Sequence, residues 1–156
     1  MKFQFSHFVG IAEIFASLAV VVTLIFLVTG LRENAAITRA SMYDSSIDSI
    51  NQFRGLIVSD VEAARLWQAH IDGEVDSLEG LDGLRARQLV SLVFGIYEKD
   101  YFMRKNEVIG EEEWERFEFQ ICRQFERAQN SITLEENLGL TMTPTFLDYI
   151  DEQCAN

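Results

Sequence analysis

The residues from which most catalytic centres are built are scarce in this sequence. Among 156 residues there are two histidines, two cysteines and one proline. His7 and His70 are therefore the only candidate imidazole bases. His7 flanks an apolar run, and His70 reads as a surface histidine ending a helix beside an acidic loop. No Glu-x-x-His pair occurs, which excludes the ligand pattern of a di-iron or di-manganese bundle. There is no Cys-x-x-Cys and no Cys/His cluster, so a structural zinc site has no ligand set. The acidic stretch with Asp72, Glu74, Asp76, Glu79 and Asp82 suggests calcium only superficially. It lacks the Asp-x-Asp-x-Asp-Gly pattern and the twelfth-position glutamate of a hand-type loop, and reads as a solvated acidic loop. No phosphate-cradling glycine loop and no nucleophile elbow is present. Glu98, Glu115 and Glu118 have no histidine partners and are expected to face solvent. The expectation is a protein that is not an enzyme, with no catalytic residue, no cofactor and no metal.

Positive charge is also scarce. Thirteen Lys and Arg stand against 25 Asp and Glu, for a net charge of −12. Up to residue 58 the two signs balance, so the whole excess lies in residues 59–156. A domain of that sign is repelled by phosphate backbones and anionic head groups, which argues against nucleic acid as a partner. Cys122 and Cys154 read as free thiols, one on an apolar helix face and one near the end of the chain. A 122–154 disulfide is the alternative, and it requires an oxidising compartment.

What the sequence does have is one long uncharged run, Ile14–Leu31 (IFASLAVVVTLIFLVTGL). As a helix it would be about 27 Å long, close to the hydrocarbon thickness of a bilayer. Its apolar character extends back through Phe8 and Val9, so residues 8–31 are the expected contact with lipid. The run is too long for the core of a cleaved signal peptide, and Glu13 interrupts its start. An uncleaved signal anchor is the reading. Glu13 is placed at the head-group boundary, with a polar contact to a partner helix as the alternative. Arg32 and Arg39 follow the run while Lys2 precedes it, which tips the basic flank toward a cytoplasmic C-terminal domain. Free thiols and the absence of Asn-x-Ser/Thr lean the same way.

Beyond the anchor every segment reads as helix, and no stretch alternates in the manner of a strand. Ile37, Met42, Tyr43, Ile47, Ile50, Phe53, Leu56 and Ile57 predict an amphipathic juxtamembrane helix over residues 32–58. Ser59 with Glu62 has capping-box spacing and opens a second helix through Ile71. Asp82 is expected to cap a long helix from about Gly83 to Val108, with Leu84, Leu89, Leu92, Val93, Ile96, Tyr97 and Phe102 on one face. Val90, Phe94 and Tyr101 fall off that face, as do Phe119 and Cys122 on the next helix. This surplus apolar surface is expected to be covered by the helices at 37–58 and 60–71, or else by a partner. Glu111–Glu113 suits the first turn of that next helix, whose core stripe is Trp114, Phe117, Ile121, Phe125 and Ala128. Thr133 with Glu136 suggests a further short turn, and Thr143–Pro144 opens a last helix through Ile150. The expected architecture is all-α: an anchor at 1–31, a juxtamembrane helix at 32–58, and an acidic domain at 59–156 built on an antiparallel hairpin.

Several stretches carry a resemblance. They are Ala12-Glu13-Ile14, Leu18–Leu27, Arg32-Glu33-Asn34, Thr38-Arg39-Ala40-Ser41, Ala64-Arg65-Leu66-Trp67, Gln88–Phe102, Glu113-Trp114-Glu115 and Pro144–Asp151. Together they are similar to a widespread group of uncharacterised bacterial single-pass membrane proteins. The resemblance implies this same architecture in a bacterial inner membrane, and it brings no activity and no site residues. The function expected is that of an accessory protein with a protein partner, or a homo-oligomer, held through the anchor and juxtamembrane helix. A membrane-tethered sensor, binding a small ligand or a basic partner through its helical domain, is the alternative.

Overall fold

Residues 3–154 are described by the computed structural model, with side chains described for Glu13 and residues 15–154. The side chains of His7, Phe8 and Val9 lie outside the described residues. The described chain is all-helical: α1 (Phe3–Ser59), α2 (Val61–Ile71), a 3-10 turn (Val75–Ser77), α3 (Gly80–Lys105), α4 (Glu111–Gln129), α5 (Ile132–Thr141) and α6 (Pro144–Cys154). It divides into two units, the boundary falling between Ser41 and Met42.

In the first unit, α1 exposes Phe15, Leu18, Leu24, Phe26 and Leu31 along with the smaller apolar residues between them. It is the one described helix long and apolar enough to cross a membrane. Two hydroxyls in the apolar run fold back on their own helix: Thr23 donates to the Ala19 carbonyl at 2.8 Å, and Thr29 to Ile25 at 3.0 Å. This i−4 bonding satisfies both hydroxyls within their own helix.

The second unit is organised around α3. Ala86, Val90, Val93, Phe94, Ile96, Tyr97, Asp100 and Met103 are all buried, and they point in several directions around the helix axis. The helix is accordingly enclosed by α2, α4, α5 and the 3-10 turn. The face expected from spacing is corrected here. Val90 and Phe94 are fully buried, whereas Leu84 and Leu92 are 48% and 50% exposed. A helix covered on most sides has no single apolar direction for spacing to reveal. On α4, covered on one side, the stripe Trp114, Phe117, Ile121, Phe125 and Ala128 is buried as expected. The two helices run antiparallel: Tyr101 meets Trp114 near their connection and Phe94 meets Phe125 further along.

Helix starts differ in detail from the spacing. Asp60 caps α2, accepting from the Glu62 and Ala63 amides, while Ser59 ends α1. Helix α3 begins at Gly80, and Asp82 pairs with Arg65 at 2.5 Å instead of capping. The preceding loop crosses the first turn of α3 so closely that a Cβ on Gly83 would stand 2.5 Å from the Leu78 carbonyl oxygen. Ser131 caps α5, and Pro144 opens α6 as its first residue.

The cysteines also correct an expectation. Cys122 and Cys154 form a disulfide, joining α4 to the end of α6. Neither is a free thiol. Their helices pack side by side, with Trp114 donating to the Tyr149 hydroxyl at 3.0 Å, which brings the two Cα atoms to 5.0 Å.

Candidate functional site

Within the second unit, residues 43–54 of α1 lie over α3 and α4 and leave a cleft of about 430 Å³. The cleft is aromatic at its base because α1, α2 and α4 each turn a ring inward. Phe53 packs edge-on against Trp67 with centroids 4.9 Å apart, and Tyr43 approaches Phe117 at 6.5 Å. Its mouth is polar, with Asn51 and Arg54 on one side and Glu113, Arg116 and Gln120 on the other.

Two polar side chains at the bottom of this cleft are themselves nine-tenths buried. Tyr97 is 7% exposed, and its hydroxyl makes no hydrogen bond among the described residues. Burial pushes that phenol up to about 12; nearby Arg54 opposes the rise and Asp100 adds to it. The phenol is neutral and remains a donor. Gln124 is 9% exposed. Its Oε1 lies 3.2 Å from His70 Nε2 and accepts from Arg127 at 3.4 Å, which leaves its amide nitrogen without a partner among the described residues. Arg54 forms no ion pair there either, and Arg116 reaches only the exposed Glu112 at 3.9 Å.

His70 is corrected from surface to core: it is fully buried. Its ring lies 4.9 Å from that of Trp67. Burial lowers its pKa to about 4, the Gln124 contact raising it and Arg127 lowering it. The ring is therefore neutral at physiological pH. With Gln124 Oε1 as acceptor, Nε2 carries the proton and Nδ1 is left without a partner.

A second buried polar contact fixes the wall of the cleft. Asp100 is fully buried and accepts from the Ser46 hydroxyl, while its other oxygen has no partner. Burial raises its pKa, and Ser46 and Lys99 oppose the rise. Lys99 donates to the Ser45 carbonyl at 3.2 Å and to the Ser49 hydroxyl at 2.9 Å. Residues 45–49 of α1 are thus pinned to the last turns of α3.

The acidic candidates have structural partners. Glu98, expected in solvent, accepts from the Thr143 amide at 2.7 Å and so caps α6. Glu118 accepts from the Tyr149 hydroxyl and is half-buried, again not a free surface acid. Glu115 and Glu13 are exposed. In the acidic loop Asp72 accepts from Gln68, and Asp76 accepts from the Ile132 and Thr133 amides and from the Ser131 and Thr133 hydroxyls. Those bonds, the Thr133 hydroxyl's foremost, hold the Asp76 carboxyl below the usual range. Glu74 and Glu79 are exposed. No group of three or more His, Cys, Asp or Glu among the described residues is placed to hold a metal ion.

Tyr97, Gln124 and Arg54 are not distinguished by any local motif. Asp100 is not distinguished either, since Glu98 and Lys99 immediately precede it. No family model, no curated protein and no solved structure matches the chain.

Proposed function

We propose that this protein is a membrane-tethered sensor or regulator whose helical domain binds a small ligand in the cleft between residues 43–54 of α1 and helices α3 and α4. The observation that carries this reading is the pair of nine-tenths-buried polar groups, Tyr97 and Gln124, with unused hydrogen-bonding atoms in an aromatic cleft. A volume of about 430 Å³ is also in the range that small molecules occupy. No nucleophile–base pair lines the cleft, so binding without chemistry is the simplest use of it. The test is native mass spectrometry of the full chain, extracted gently from its own membranes. A small-molecule mass increment that Tyr97→Phe weakens supports the reading; a ligand-free chain in every preparation counts against it.

The accessory-protein reading has a specific observation of its own. Leu56, Leu84, Leu89 and Leu92 line a second, open groove bordered by α1, α2 and α3. A stoichiometric protein companion in the same mass analysis, lost on Leu84→Glu, favours that reading.

The apolar run of α1 is the membrane anchor in this proposal, and a bacterial inner membrane is the setting. The helical domain lies on the oxidising side of it. The Cys122–Cys154 disulfide supports that side over the cytoplasm, since reducing compartments keep such thiols apart. With the thiols paired, one premise of a cytoplasmic domain is gone. Protease added to intact spheroplasts is expected to remove the domain. A domain protected until the membrane is broken reverses the orientation.

A further inference from the structure

We infer that the ligand of this cleft is a small amphipathic carboxylate, an apolar chain or ring bearing one acidic head, seated with its head between Arg54 and the Tyr97 hydroxyl. The inference rests on the receptor reading above and adds the chemical class. Charge points to it first. The chain carries net charge −12. Yet the mouth of the cleft holds Arg54, with no ion pair among the described residues, and Arg116, whose contact with Glu112 is exposed at both ends. Among the lining residues these two guanidinium groups face one carboxylate, that of Glu113, while Asp100 lies behind the Tyr97 hydroxyl. With two guanidinium groups against one carboxylate in its lining, this mouth favours an anion.

The donors inside agree. The neutral Tyr97 hydroxyl and the unpartnered Gln124 amide nitrogen both offer protons, and both side chains are nine-tenths buried. Gln124 is held in this sense because His70 and Arg127 occupy its oxygen. A ligand head that only accepts, as a carboxylate does, satisfies Tyr97 and Arg54 together, and a hydrogen bond to a charged partner is the stronger kind. The apolar part of the wall is Ile47, Ile50, Phe53, Trp67, Val93 and Phe117, which suits a hydrocarbon body.

The carboxylate can arrive from solution or as a fatty acid released in the bilayer. One experiment covers both, using the full chain in phosphatidylcholine nanodiscs. Trp67 lines the cleft and Trp114 does not, so a bromine-bearing probe bound there quenches Trp67. The probes are 10-bromodecanoate in solution, 9,10-dibromostearate placed in the nanodisc, and two controls that keep the decyl chain, 10-bromodecanol and (10-bromodecyl)trimethylammonium. Saturable quenching by a carboxylate, absent in Trp67→Phe, is expected. It should weaken by about tenfold or more in Arg54→Gln and by about threefold to tenfold in Tyr97→Phe. Arg54 is exposed and Tyr97→Phe keeps the ring, so both variants are expected to fold. Saturation by the dissolved probe identifies a solution ligand, and saturation by the bilayer probe alone identifies a lipid product; either supports the inference. If the alcohol or the ammonium probe binds as tightly as the carboxylate, or if Arg54→Gln binds unchanged, the carboxylate assignment is overturned and the receptor reading survives. If no probe quenches saturably, the carboxylate assignment is overturned, and the receptor reading stands or falls on the small-molecule mass increment.

Discussion

Protonation of His70 is expected to destabilise the helical domain, and the effect can be sized. The imidazole is fully buried, and its pKa is lowered from the ordinary 6.5 to about 4, first by burial and then by Arg127, against the Gln124 contact. The unfolded chain, with a pKa near 6.5, binds the proton more readily than the folded one. Stability attributable to this group is therefore complete above pH 6.5 and is lost as pH falls toward 4. Integrating between these values gives a loss of about 1.4 kcal/mol by pH 5.5 and about 3 kcal/mol by pH 4. For a domain of this size the larger figure is a fall of about 10 °C in melting temperature. Asp100 works in the opposite sense: its pKa is raised in the folded state, so acid favours folding at that site. The wild-type profile therefore mixes terms, and the informative quantity is the difference from His70→Gln. That variant is expected to start about 1–2 kcal/mol lower at pH 7, to meet the wild type between about pH 6 and pH 5, and to be the more stable of the two by about 1–2 kcal/mol at pH 4. The assay is thermal or urea unfolding of the detergent-solubilised chain from pH 7 to 4, followed by circular dichroism. Parallel loss in the two proteins across that range would refute the reasoning, because it would mean that His70 titrates alike in both states.

Three further outcomes follow from particular contacts. Replacing both Cys122 and Cys154 by serine removes a cross-link spanning 32 residues; the chain-entropy relation puts the loss at up to about 4 kcal/mol, read as a lower urea midpoint with the m-value raised or unchanged. Asp76→Ala strips α5 of its external acceptors and is expected to cost about 1–2 kcal/mol, with faster hydrogen exchange at the Ile132 and Thr133 amides. Gly83→Ala forces a Cβ against the Leu78 carbonyl and is expected to cost about 1–3 kcal/mol in thermal unfolding; an unchanged melting temperature would show that the loop yields freely.

The all-helical character was legible because spacing of three and four residues survives wherever a helix has one covered side, as α4 does. It misled on α3, where the Leu84 and Leu92 positions share a spacing with buried residues but face outward. Caps were misplaced by a residue or a few, Asp60 for Ser59 and Glu79 for Asp82, since several acceptors lie close to each start and packing chooses among them. The cleft was not legible at all. Tyr97 and Gln124 have nothing locally distinctive, and they meet Arg54 only after α1 folds across α3 and α4. His70 looked like a helix-end histidine because its position along α2 is terminal; that Gln124 of α4 closes over it is a tertiary fact. The disulfide was equally hidden, as two cysteines 32 residues apart give no geometric sign of whether they meet.

A helix cap is ordinarily a neighbourly arrangement, supplied by the residue just before the helix. Helix α5 has that cap in Ser131, but the two amides that begin it are held by Asp76, which sits more than fifty residues upstream in the connection between α2 and α3. Fraying of α5 and opening of that connection are therefore one event with one free energy, not two independent motions. The acidic stretch, which as composition alone looks like a loose surface loop, becomes part of the cooperative unit. A perturbation at Val75–Ser77 is felt first at Ile132, on the far side of the chain.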